Sequence, residues 1–432
     1  MSTSATTAGP GVRPSVAIIG AGDRGSRYAR ILTDLELGTV VGIAEPIDER
    51  RLDVASGAAV PPEGQFRDWR DMLARPRFAD AVVVSTRDDR HHEPTIAALQ
   101  AGYHVLVEKP MATTEADASQ MVMAAERAGR ILAVCHVLRY TAYTKVLREL
   151  IDAGTVGDIV SVEHLEPVGW WHHAHSYVRG NWRREDESTF MLMAKSVHDI
   201  DWLAHIIGLP AARVSSFGSL MHFRPENRPA GAAGRCLDCG VEPSCPYSAP
   251  RLYLSCLQAN QPNRWPLSVV TSSRTPEGVL SALRDGPYGR CVYGCDNDVV
   301  DHQVVGIEYQ GGATASFTMV AFSPHMFRRT RIFGSHGSLE GDGTSIRLTD
   351  FRTGQESLID VPTSGGPGAD DGHGGGDEGL VRAFTQAVRS GRSAPYLASA
   401  AESLASHRLT WSAERARLTG TVVELNSSPV GG

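Results

Sequence analysis

A glycine-rich stretch near the start of the chain has the residue types and spacing to bind phosphate groups. Gly20, Gly22 and Gly25 form the pattern Gly-x-Gly-x-x-Gly directly after the apolar run 16–19 and before a run with helical spacing. The first glycine permits a sharp turn, the second lets the backbone approach a pyrophosphate, and the third lets the helix pack against the strand. The helix N-terminus then presents free N–H groups to the phosphates. The stretch predicts a dinucleotide site, with a glycine-rich turn in an ordinary β-α unit as the alternative.

A carboxylate follows at a position suited to bind the ribose of that dinucleotide. Glu45 lies 25 residues after Gly20, at the end of the apolar run 39–44. A carboxylate at the end of this second strand binds the ribose hydroxyls of NAD and repels the 2'-phosphate of NADP. Glu45 therefore favours NAD, whereas Arg50 and Arg51 leave NADP as an alternative.

Two side chains able to exchange a proton are expected beside such a cofactor. Oxidation of a secondary alcohol sends hydride to the nicotinamide and needs a group that takes the hydroxyl proton. Lys109 ends a predicted strand, where an ammonium can polarise the oxygen or, with its pKa lowered by burial, share its proton. His198 is the second candidate, because an imidazole titrates near neutral pH. The alternatives are a surface lysine paired with Glu108 and a buried core histidine.

Aromatic and hydrogen-bonding side chains are concentrated in residues 169–183. Indole faces and planar donors suit the apolar faces and hydroxyl edges of a sugar ring. The substrate-binding candidates in this stretch are Trp171, His172, His173, His175, Arg179, Asn181 and Trp182. We expect a substrate loop here. The three histidines also permit a divalent-metal site, and an aromatic strand buried at a sheet interface is a further alternative.

Six of the seven cysteines are clustered in one sixty-residue segment rich in proline, glycine and alanine. Cys236 and Cys239 form a Cys-x-x-Cys pair, and Cys245 supplies a third thiolate six residues later. Cys291 is our first choice for a fourth ligand, ahead of Cys295. Because the segment has little periodic apolar sequence to order it, we predict a structural zinc site. An iron–sulfur cluster, a redox pair and unligated thiols are the alternatives.

Strands and helices alternate over residues 15–137, which indicates a parallel sheet covered on both faces. Ligands bind beyond the carboxyl ends of such strands. The cofactor-binding candidates at these ends are Gly20, Gly22, Asp23, Arg24, Gly25, Glu45, Thr86, Glu108, Lys109 and His136. Alternating apolarity after residue 294 instead predicts an antiparallel sheet. Residues 365–377 have the composition of a flexible linker, and helices are expected over 378–390 and 398–417.

Length and charge restrict the class of protein. The chain has 432 residues, 42% of them hydrophobic and 21% charged, which describes a globular protein of two or three domains. A formal net charge of -7 argues against a nucleic-acid or membrane-surface partner. No apolar run is long enough to span a bilayer, and residues 1–12 have the composition of a disordered leader rather than a signal peptide. We therefore expect a cytoplasmic location.

The combination of motifs resembles the glucose-fructose oxidoreductase/inositol dehydrogenase family, also written Gfo/Idh/MocA. The motifs that carry the resemblance are the glycine turn, Thr86 with His91, the run 101–110 ending in Glu108-Lys109-Pro110, Cys135-His136, Arg139-Tyr140, the run 150–157, and His198-Asp-Ile-Asp201 followed by 202–208. They cover nearly the whole chain, and together they are far more specific than any single motif.

The resemblance implies a Rossmann domain followed by an α/β domain whose open, largely antiparallel sheet mediates homodimers or homotetramers. We accordingly assign residues 13–137 to the dinucleotide-binding domain and 138–432 to the substrate-binding domain, with a cysteine-rich insertion at about 224–295. The resemblance adds His91 to the cofactor-binding candidates. It also adds Lys109, Arg139 and His198 to the substrate-binding candidates, and it implies a cis Lys109–Pro110 bond.

One segment departs from the family pattern. That pattern has an aspartate four residues before the histidine and a glycine two residues before it, whereas this chain has Ala194 and Ser196. The usual pairing of aspartate with His198 is therefore absent. Lys195 lies one turn from His198 on the helix predicted over 191–205, so we name it as the third catalytic candidate after Lys109 and His198.

The resemblance implies an NAD(P)-dependent oxidoreductase that transfers hydride between a nicotinamide and a secondary hydroxyl or keto group of a sugar, glycoside or cyclitol. A tightly held and recycled nicotinamide would instead support epimerisation or redox-assisted glycoside cleavage. A non-catalytic dinucleotide-binding scaffold is the hypothesis from a different class. It is suggested by the loss of the usual aspartate at Ala194.

Overall fold

The computed structural model describes four ranges of the chain, residues 13–259, 265–362, 374–394 and 396–425. The expected leader, residues 1–12, and residues 365–373 of the linker expected over 365–377 lie outside them. The described chain is built on a six-stranded sheet and a nine-stranded sheet. No helix in these ranges is both long and apolar enough to cross a bilayer.

The first sheet occupies the N-terminal part of the chain. Its strands are β1 Ser15–Ile19, β2 Thr39–Ala44, β3 Gln65–Phe66, β4 Ala81–Val84, β5 His104–Val107 and β6 Leu132–Val134. Its helices are α1 Asp23–Asp34, α2 Asp48–Gly57, α3 Trp69–Leu73, α4 His92–Gln100 and α5 Glu115–Ala128. The strands are parallel in the order β3-β2-β1-β4-β5-β6. Because the order reverses between β1 and β4, ligands are expected beyond their carboxyl ends.

The second sheet is mixed and mostly antiparallel. Its strands are β7 Ile159–Pro167, β8 Ala211–Ser219, β9 His302–Tyr309, β10 Thr314–Val320, β11 Arg329–Gly334, β12 Gly337–Gly341, β13 Ser345–Asp350, β14 Gln355–Asp360 and β15 Val423–Glu424. They lie in the order β14-β13-β12-β11-β7-β10-β9-β8-β15, and β7 pairs with β10 in parallel. The predicted combination of a Rossmann sheet and a largely antiparallel sheet is confirmed.

Eight helices are described after the first sheet. They are α6 Ala142–Asp152, α7 Trp170–His173, α8 Met191–Ala194, α9 Val197–Ile207, α10 Ala249–Gln258, α11 Pro276–Asp285, α12 Gly376–Ser390 and α13 Ala400–Thr419. The prediction of one helix over 191–205 was wrong, because α8 and α9 are separated at Lys195 and Ser196. Leu380 and Phe384 of helix α12 are buried in the apolar core beside the first sheet. The C-terminal part of the chain therefore packs against the N-terminal part.

The cysteine-rich insertion leaves and rejoins the second sheet between neighbouring strands. Strands β8 and β9 pair side by side, so residues 220–301 form an excursion from one sheet position. Within it, α10 and α11 bury Tyr253, Val279 and Leu283 in a local apolar cluster. The insertion therefore has an apolar core of its own, and this core brings together residues that are distant in the sequence.

Buried histidines predict an acid-sensitive fold. Burial lowers the pKa of His136 and His175 to about 3, and that of His173 and His407 to about 4. In the unfolded chain these imidazoles bind protons below about pH 6.5, which the folded chain does not. The free energy of unfolding is therefore expected to fall as the pH drops from 6.5 towards 4, by up to about 1.4 kcal/mol per pH unit for each histidine.

Urea unfolding of the full chain at pH 7.5, 6.5 and 5.5 measures this slope. His173 stacks on Phe223 with ring centroids 5.4 Å apart, so His173→Phe keeps an aromatic ring in the site and removes one proton-binding group. The variant is expected to lose less stability per pH unit than the wild type. Equal stability of the wild type at all three pH values would contradict the prediction.

Candidate active site

The turn between β1 and α1 has the close packing expected of a dinucleotide-binding turn. Gly20 has φ +92°, and a Cβ there would lie 2.6 Å from the carbonyl oxygen of Ser85. A Cβ on Gly25 would lie 1.9 Å from the carbonyl oxygen of Gly20. A Cβ on Gly22, in contrast, would meet no described atom within 4 Å. Gly22 therefore borders open space at the N-terminus of α1, where backbone N–H groups attract a phosphate.

Glu45 is held rigidly beside this turn. Its Oε2 accepts a hydrogen bond from Ala21 N at 2.9 Å, and its Oε1 accepts one from Ile47 N at 3.0 Å. The neighbouring cation Arg51 is already engaged, since its Nη1 donates to the Glu45 carbonyl oxygen at 2.8 Å and its Nη2 to Asp48 at 2.5 Å. The negative charge at this end of β2 is thus fixed in place, while the Arg51 guanidinium is committed to protein partners.

Arg24 and Glu108, two predicted cofactor-binding residues, contact each other. Arg24 Nε donates to Glu108 Oε1 at 2.6 Å, Arg24 Nη2 donates to Asp377 Oδ1 at 2.6 Å, and Tyr28 donates to Glu108 at 2.6 Å. Burial favours a raised pKa for Glu108, but Arg24 and Tyr28 outweigh it and the pKa is lowered. Glu108 Oε2 also accepts from Lys109 N at 2.9 Å. This network ties α1, β5 and α12 together and orients the backbone that carries Lys109.

His91 joins the loops that follow β4 and β5. Its Nδ1 lies 2.7 Å from the carbonyl oxygen of Pro110, and its Nε2 lies 3.1 Å from that of Thr86. The Lys109–Pro110 bond is cis, as expected. His91 is buried and thus positions both loops. Asp23, another predicted cofactor-binding residue, is exposed in the first turn of α1.

His136 and Arg139 meet a buried carboxylate of α9. Arg139 donates to both oxygens of Asp201, from Nε and Nη2, at 2.7 Å each. His136 Nε2 lies 3.5 Å from Asp201 Oδ1, and Ser406 of α13 donates to the same oxygen at 2.9 Å. Both predicted site residues therefore join the end of the first sheet to α9 and α13, which points to a structural role.

Lys109 reaches the segment that carries His198. Its Nζ donates to the carbonyl oxygen of Ala194 at 2.6 Å. Burial lowers the pKa of Lys109 below its ordinary value, against the attraction of Asp88 and Glu108. His198, which is 4% exposed, lies in the first turn of α9. Position 194, where the family pattern has an aspartate, thus contacts Lys109 through its backbone carbonyl.

Lys195 lies at the end of a buried chain of charges that sequence reasoning missed. Its Nζ is 3.2 Å from Glu166 Oε1, and Arg328 Nε is 2.5 Å from Glu166 Oε2 and 2.9 Å from Asp199 Oδ1. The charge of Lys195 also lowers the pKa of Lys109. One signal in the sequence pointed to Lys109 and Lys195. Of the 42 lysines and arginines, only three are lysines, and these two interact electrostatically in the folded chain. Lysine releases a proton far more readily than arginine does.

The predicted substrate stretch is helical and divides into two groups of side chains. The inner group binds the insertion: His175 Nδ1 lies 2.7 Å from Tyr253 Oη, Arg179 Nε donates to the Arg290 carbonyl at 2.8 Å, and His173 stacks on Phe223. These side chains are buried and anchor the insertion to α7 and the π-helical turn after it.

The outer group lies nearer the lysines. Trp171 and His172 are half-buried, and the positive charge of Lys195 adds to burial in lowering the pKa of His172. Trp182 Nε1 donates to Asp88 at 2.8 Å, and Asn181 is exposed. The charge of Asp88 also raises the pKa of Lys109, so Trp182 contacts a carboxylate that interacts with this lysine. The structure thus brings Trp171, His172 and Trp182 towards the lysines.

The structure does not support the predicted zinc site. Cys236, Cys239, Cys245 and Cys291 line one cavity of about 20 Å³. Within the described ranges, however, no group of three or more His, Cys, Asp and Glu side chains is arranged to hold a metal ion. The zinc prediction assumed that the insertion has nothing else to order it, and its own apolar core removes that reason. Instead, Arg179 Nη2 donates to Cys236 Sγ at 3.5 Å.

Two family models match almost the whole chain. Residues 15–136 match the model described as "Oxidoreductase family, NAD-binding Rossmann fold", and residues 148–425 match that family's C-terminal alpha/beta domain. The chain belongs to the Gfo/Idh/MocA oxidoreductase family. The glycine turn described above lies within the part of the chain that matches the NAD-binding Rossmann fold of this family.

Similar proteins include sugar oxidoreductases. The putative oxidoreductase YteT of Bacillus subtilis is 25% identical over 282 residues, which is 64% of this chain and 63% of YteT. The 1,5-anhydro-D-fructose reductase of Ensifer adhaerens is 37% identical over 130 residues, which is 30% of this chain and 38% of the reductase. The matched region therefore spans less than two thirds of either relative.

Solved structures show the same fold over nearly the full length. A levoglucosan dehydrogenase in complex with NADH and levoglucosan has a TM-score of 0.68 and 17% identity, covering 96% of this chain and 100% of the other. At this level of identity the likeness concerns the fold. It extends over both sheets, so the arrangement of the Rossmann sheet and the mixed sheet is shared.

Proposed function

We propose that this protein is an NAD-dependent dehydrogenase that oxidises a secondary hydroxyl group of a sugar, glycoside or cyclitol, or reduces the matching ketone. The observation that carries the proposal is the contact of Lys109 Nζ with Ala194 O at 2.6 Å. In this contact a half-buried lysine, which follows β5, lies against the segment that holds Lys195 and His198. The names of the relatives, an anhydrofructose reductase and a levoglucosan dehydrogenase, support a sugar-like substrate.

The side chains present fit a bound NAD. When bound, the nicotinamide accepts the hydride. Gly22 leaves space for the pyrophosphate at the α1 N-terminus, and Glu45 offers its remaining lone pairs to the ribose hydroxyls. Lys109 in its neutral form takes the hydroxyl proton on Nζ as the substrate carbon gives up its hydride, and the carbon–oxygen bond becomes a carbonyl. The Ala194 carbonyl orients Nζ, and Lys195 and His198 are the further candidates for moving that proton.

A panel assay tests the proposal. The purified full chain is incubated with NAD and with glycosides, free sugars and cyclitols while the absorbance of the reduced cofactor is followed. Product analysis runs in parallel, because a tightly held cofactor that is recycled leaves no net reduced NAD. Turnover of at least one of these substrates is expected. The absence of the usual aspartate at Ala194 favours a scaffold as the second candidate, and NAD binding without any product would support it.

Glu45 predicts a preference for NAD over NADP. Because the Glu45 carboxylate is fixed by two backbone N–H groups, and Arg51 is bound to the Glu45 carbonyl oxygen and to Asp48, the 2'-phosphate of NADP meets a fixed negative charge. We expect kcat/KM with NAD to exceed that with NADP at least ~100-fold, or about 2.7 kcal/mol. Glu45→Gln removes the charge and is expected to lower the ratio of kcat/KM with NAD to kcat/KM with NADP at least ~10-fold. The exposed Glu49 provides the control, Glu49→Gln. Equal use of both cofactors by the wild type would refute the prediction.

The domain boundary, the assembly and the location remain proposals. The family models end at residue 136 and begin again at 148, which supports the boundary proposed near 137. Strands β10 and β11 alternate buried and exposed residues, so one face of the second sheet is turned outwards. Phe217 and Val304, on β8 and β9, are 71% and 44% exposed, which supports association of identical chains through this sheet. The cytoplasmic location stays a prediction.

A further inference from the structure

The cysteine-rich insertion contributes an aromatic side chain close to the lysines. Trp265, which follows α10, lies 5.3 Å from Trp171 and 4.7 Å from His172, measured between ring centroids. Its indole is also 5.2 Å from the ring of His175, edge to face. The insertion thus supplies a ring to the group of side chains that sequence analysis assigned to substrate binding.

A third element completes this group. His325, in the loop between β10 and β11, lies 5.1 Å from Trp171 and 5.5 Å from His172 between ring centroids. We call Trp171, His172, Trp265 and His325 the aromatic wall. His325 is exposed and the other three are half-buried, so the wall keeps free ring surface. Aromatic rings left partly open beside buried polar groups are typical of ligand sites.

Lys195 places the aromatic wall relative to Lys109. After burial, the positive charge of Lys195 is the main influence that lowers the pKa of His172 and of His325. The same ammonium also lowers the pKa of Lys109. The Nζ of Lys195 also lies 3.2 Å from Glu166 Oε1 near the end of β7, and Arg328, three residues after His325, lies 2.5 Å from Glu166 Oε2. Lys195 therefore lies beside the segments that carry the wall and within electrostatic reach of Lys109. A ligand whose reacting carbon lies at Lys109 is expected to touch the wall through a second group.

We propose that the aromatic wall binds a second ring of the substrate, so that the preferred substrate is a glycoside carrying a sugar or aryl substituent rather than a free monosaccharide or cyclitol. This inference rests on the proposed dehydrogenase function. The indole faces of Trp171 and Trp265 suit the apolar C–H face of a pyranose or an aryl ring. His172 and His325, when neutral, both donate and accept hydrogen bonds, as hydroxyl groups require.

The anchoring of the insertion supports a built site. His175 Nδ1 lies 2.7 Å from Tyr253 Oη and stacks on Tyr288 at 4.8 Å, so α10 and the end of the insertion are fixed beneath Trp265. Arg179 donates to the carbonyl oxygens of Tyr247 and Arg290 at 2.8 Å each. The insertion is therefore held against α7 on both sides of α10, and Trp265 is positioned without help from a ligand.

The test compares substrates with one ring and with two. The ratio of kcat/KM for a disaccharide or aryl glycoside to kcat/KM for the corresponding free sugar is measured in the wild type, Trp265→Ala and His325→Ala. We expect the wild type to favour the two-ring substrate and each variant to lower the ratio at least ~10-fold, mainly through KM. Trp265→Phe keeps a ring face and is expected to restore part of the ratio. Trp170→Ala is the matched control, because Trp170 is 39% exposed and its indole N–H donates to Pro246 O.

The outcomes separate this inference from the proposed function. If the wild type oxidises free sugars as well as glycosides, and neither variant changes the ratio, the inference is overturned while the dehydrogenase function stands. If the wild type binds NAD and produces nothing from any sugar, the proposed function fails and the inference with it. His325 lies outside the insertion, so His325→Ala decides the question even if Trp265→Ala does not fold.

Discussion

Replacing Lys109 with alanine is expected to lower kcat at least ~1,000-fold while changing the dissociation constant for NAD less than ~3-fold. The expected loss lies within the range for removal of a group that exchanges a proton in the transition state. Cofactor binding is expected to depend on the glycine turn and Glu45, and the contacts that hold these groups do not involve the Lys109 side chain. Single-turnover absorbance of the reduced cofactor measures the chemical step, and calorimetric titration of NAD measures binding.

Lys145 provides the control for this variant. It is the third lysine of the chain and is exposed on α6, so Lys145→Ala is expected to behave as the wild type. Because burial lowers the pKa of Lys109, the oxidation rate of the wild type is expected to rise with pH through a value below the ordinary 10.5 of lysine. The oxidation rate rises rather than falls with pH because the neutral amine is the form that accepts the proton. Turnover of Lys109→Ala within tenfold of the wild type would remove Lys109 from the mechanism.

Alanine at Gly22 is expected to abolish NAD binding without unfolding the protein. A Cβ at Gly22 meets no described atom within 4 Å, so the free chain accepts it. That Cβ lies where the pyrophosphate must approach the backbone, and we expect NAD affinity to fall at least ~100-fold. Gly25→Ala is the informative comparison, because its Cβ would lie 1.9 Å from the Gly20 carbonyl oxygen and must displace the turn. That variant is expected to lose thermal stability as well as affinity.

Thermal unfolding with and without NAD distinguishes the two glycine variants. The wild type is expected to gain stability when NAD is added, because a ligand that binds only the folded state stabilises it. Gly22→Ala is expected to unfold at the wild-type temperature without NAD and to gain little from its addition. A variant at Gly22 that is stabilised by NAD as strongly as the wild type would show that the dinucleotide does not pass over this glycine.

The first sheet and its turn were predictable because their signals are local. A strand, three glycines and a helix follow one another within a short stretch, and Glu45 ends the next strand. The close approach at Gly25 is to the carbonyl oxygen of Gly20, within the same pattern, whereas the close approach at Gly20 is to Ser85 after β4. Family motifs then extended the prediction to the second sheet. The same local logic identified Lys109 as a candidate, since it follows β5, and the neighbouring strands of a parallel sheet are expected to end at the cofactor.

Long-range pairing could not be read from the sequence. Arg139 was expected to bind substrate, yet its guanidinium is taken by Asp201, 62 residues away. Glu166 escaped notice because a lone carboxylate in a strand gives no indication that Lys195 and Arg328 surround it. Position 194 lacks the carboxylate of the family pattern, and only the fold shows that its carbonyl oxygen accepts a hydrogen bond from Lys109. Each of these contacts depends on packing between separate elements.

The structure does not support the zinc prediction, for a related reason. It relied on the absence of periodic apolar residues in the cysteine-rich insertion, which contains many prolines and glycines. The core of the insertion forms instead between α10 and α11, with Tyr253 and Leu283 brought together from separate helices. Four of the cysteines, Cys236, Cys239, Cys245 and Cys291, line a small cavity beside Arg179. The spacing of the cysteines alone therefore does not establish a metal site.

Transfer of a labelled hydride tests the central claim most directly. A sugar or glycoside that the panel assay identifies as a substrate is prepared with deuterium on the carbon that is oxidised, and it is incubated with the full chain and an equal amount of NAD. The cofactor is then recovered, and its mass is measured by mass spectrometry. The account predicts reduced nicotinamide one mass unit heavier with the wild type, formed at least ~1,000-fold more slowly with Lys109→Ala. Product formed by the wild type without deuterium on the nicotinamide would contradict it.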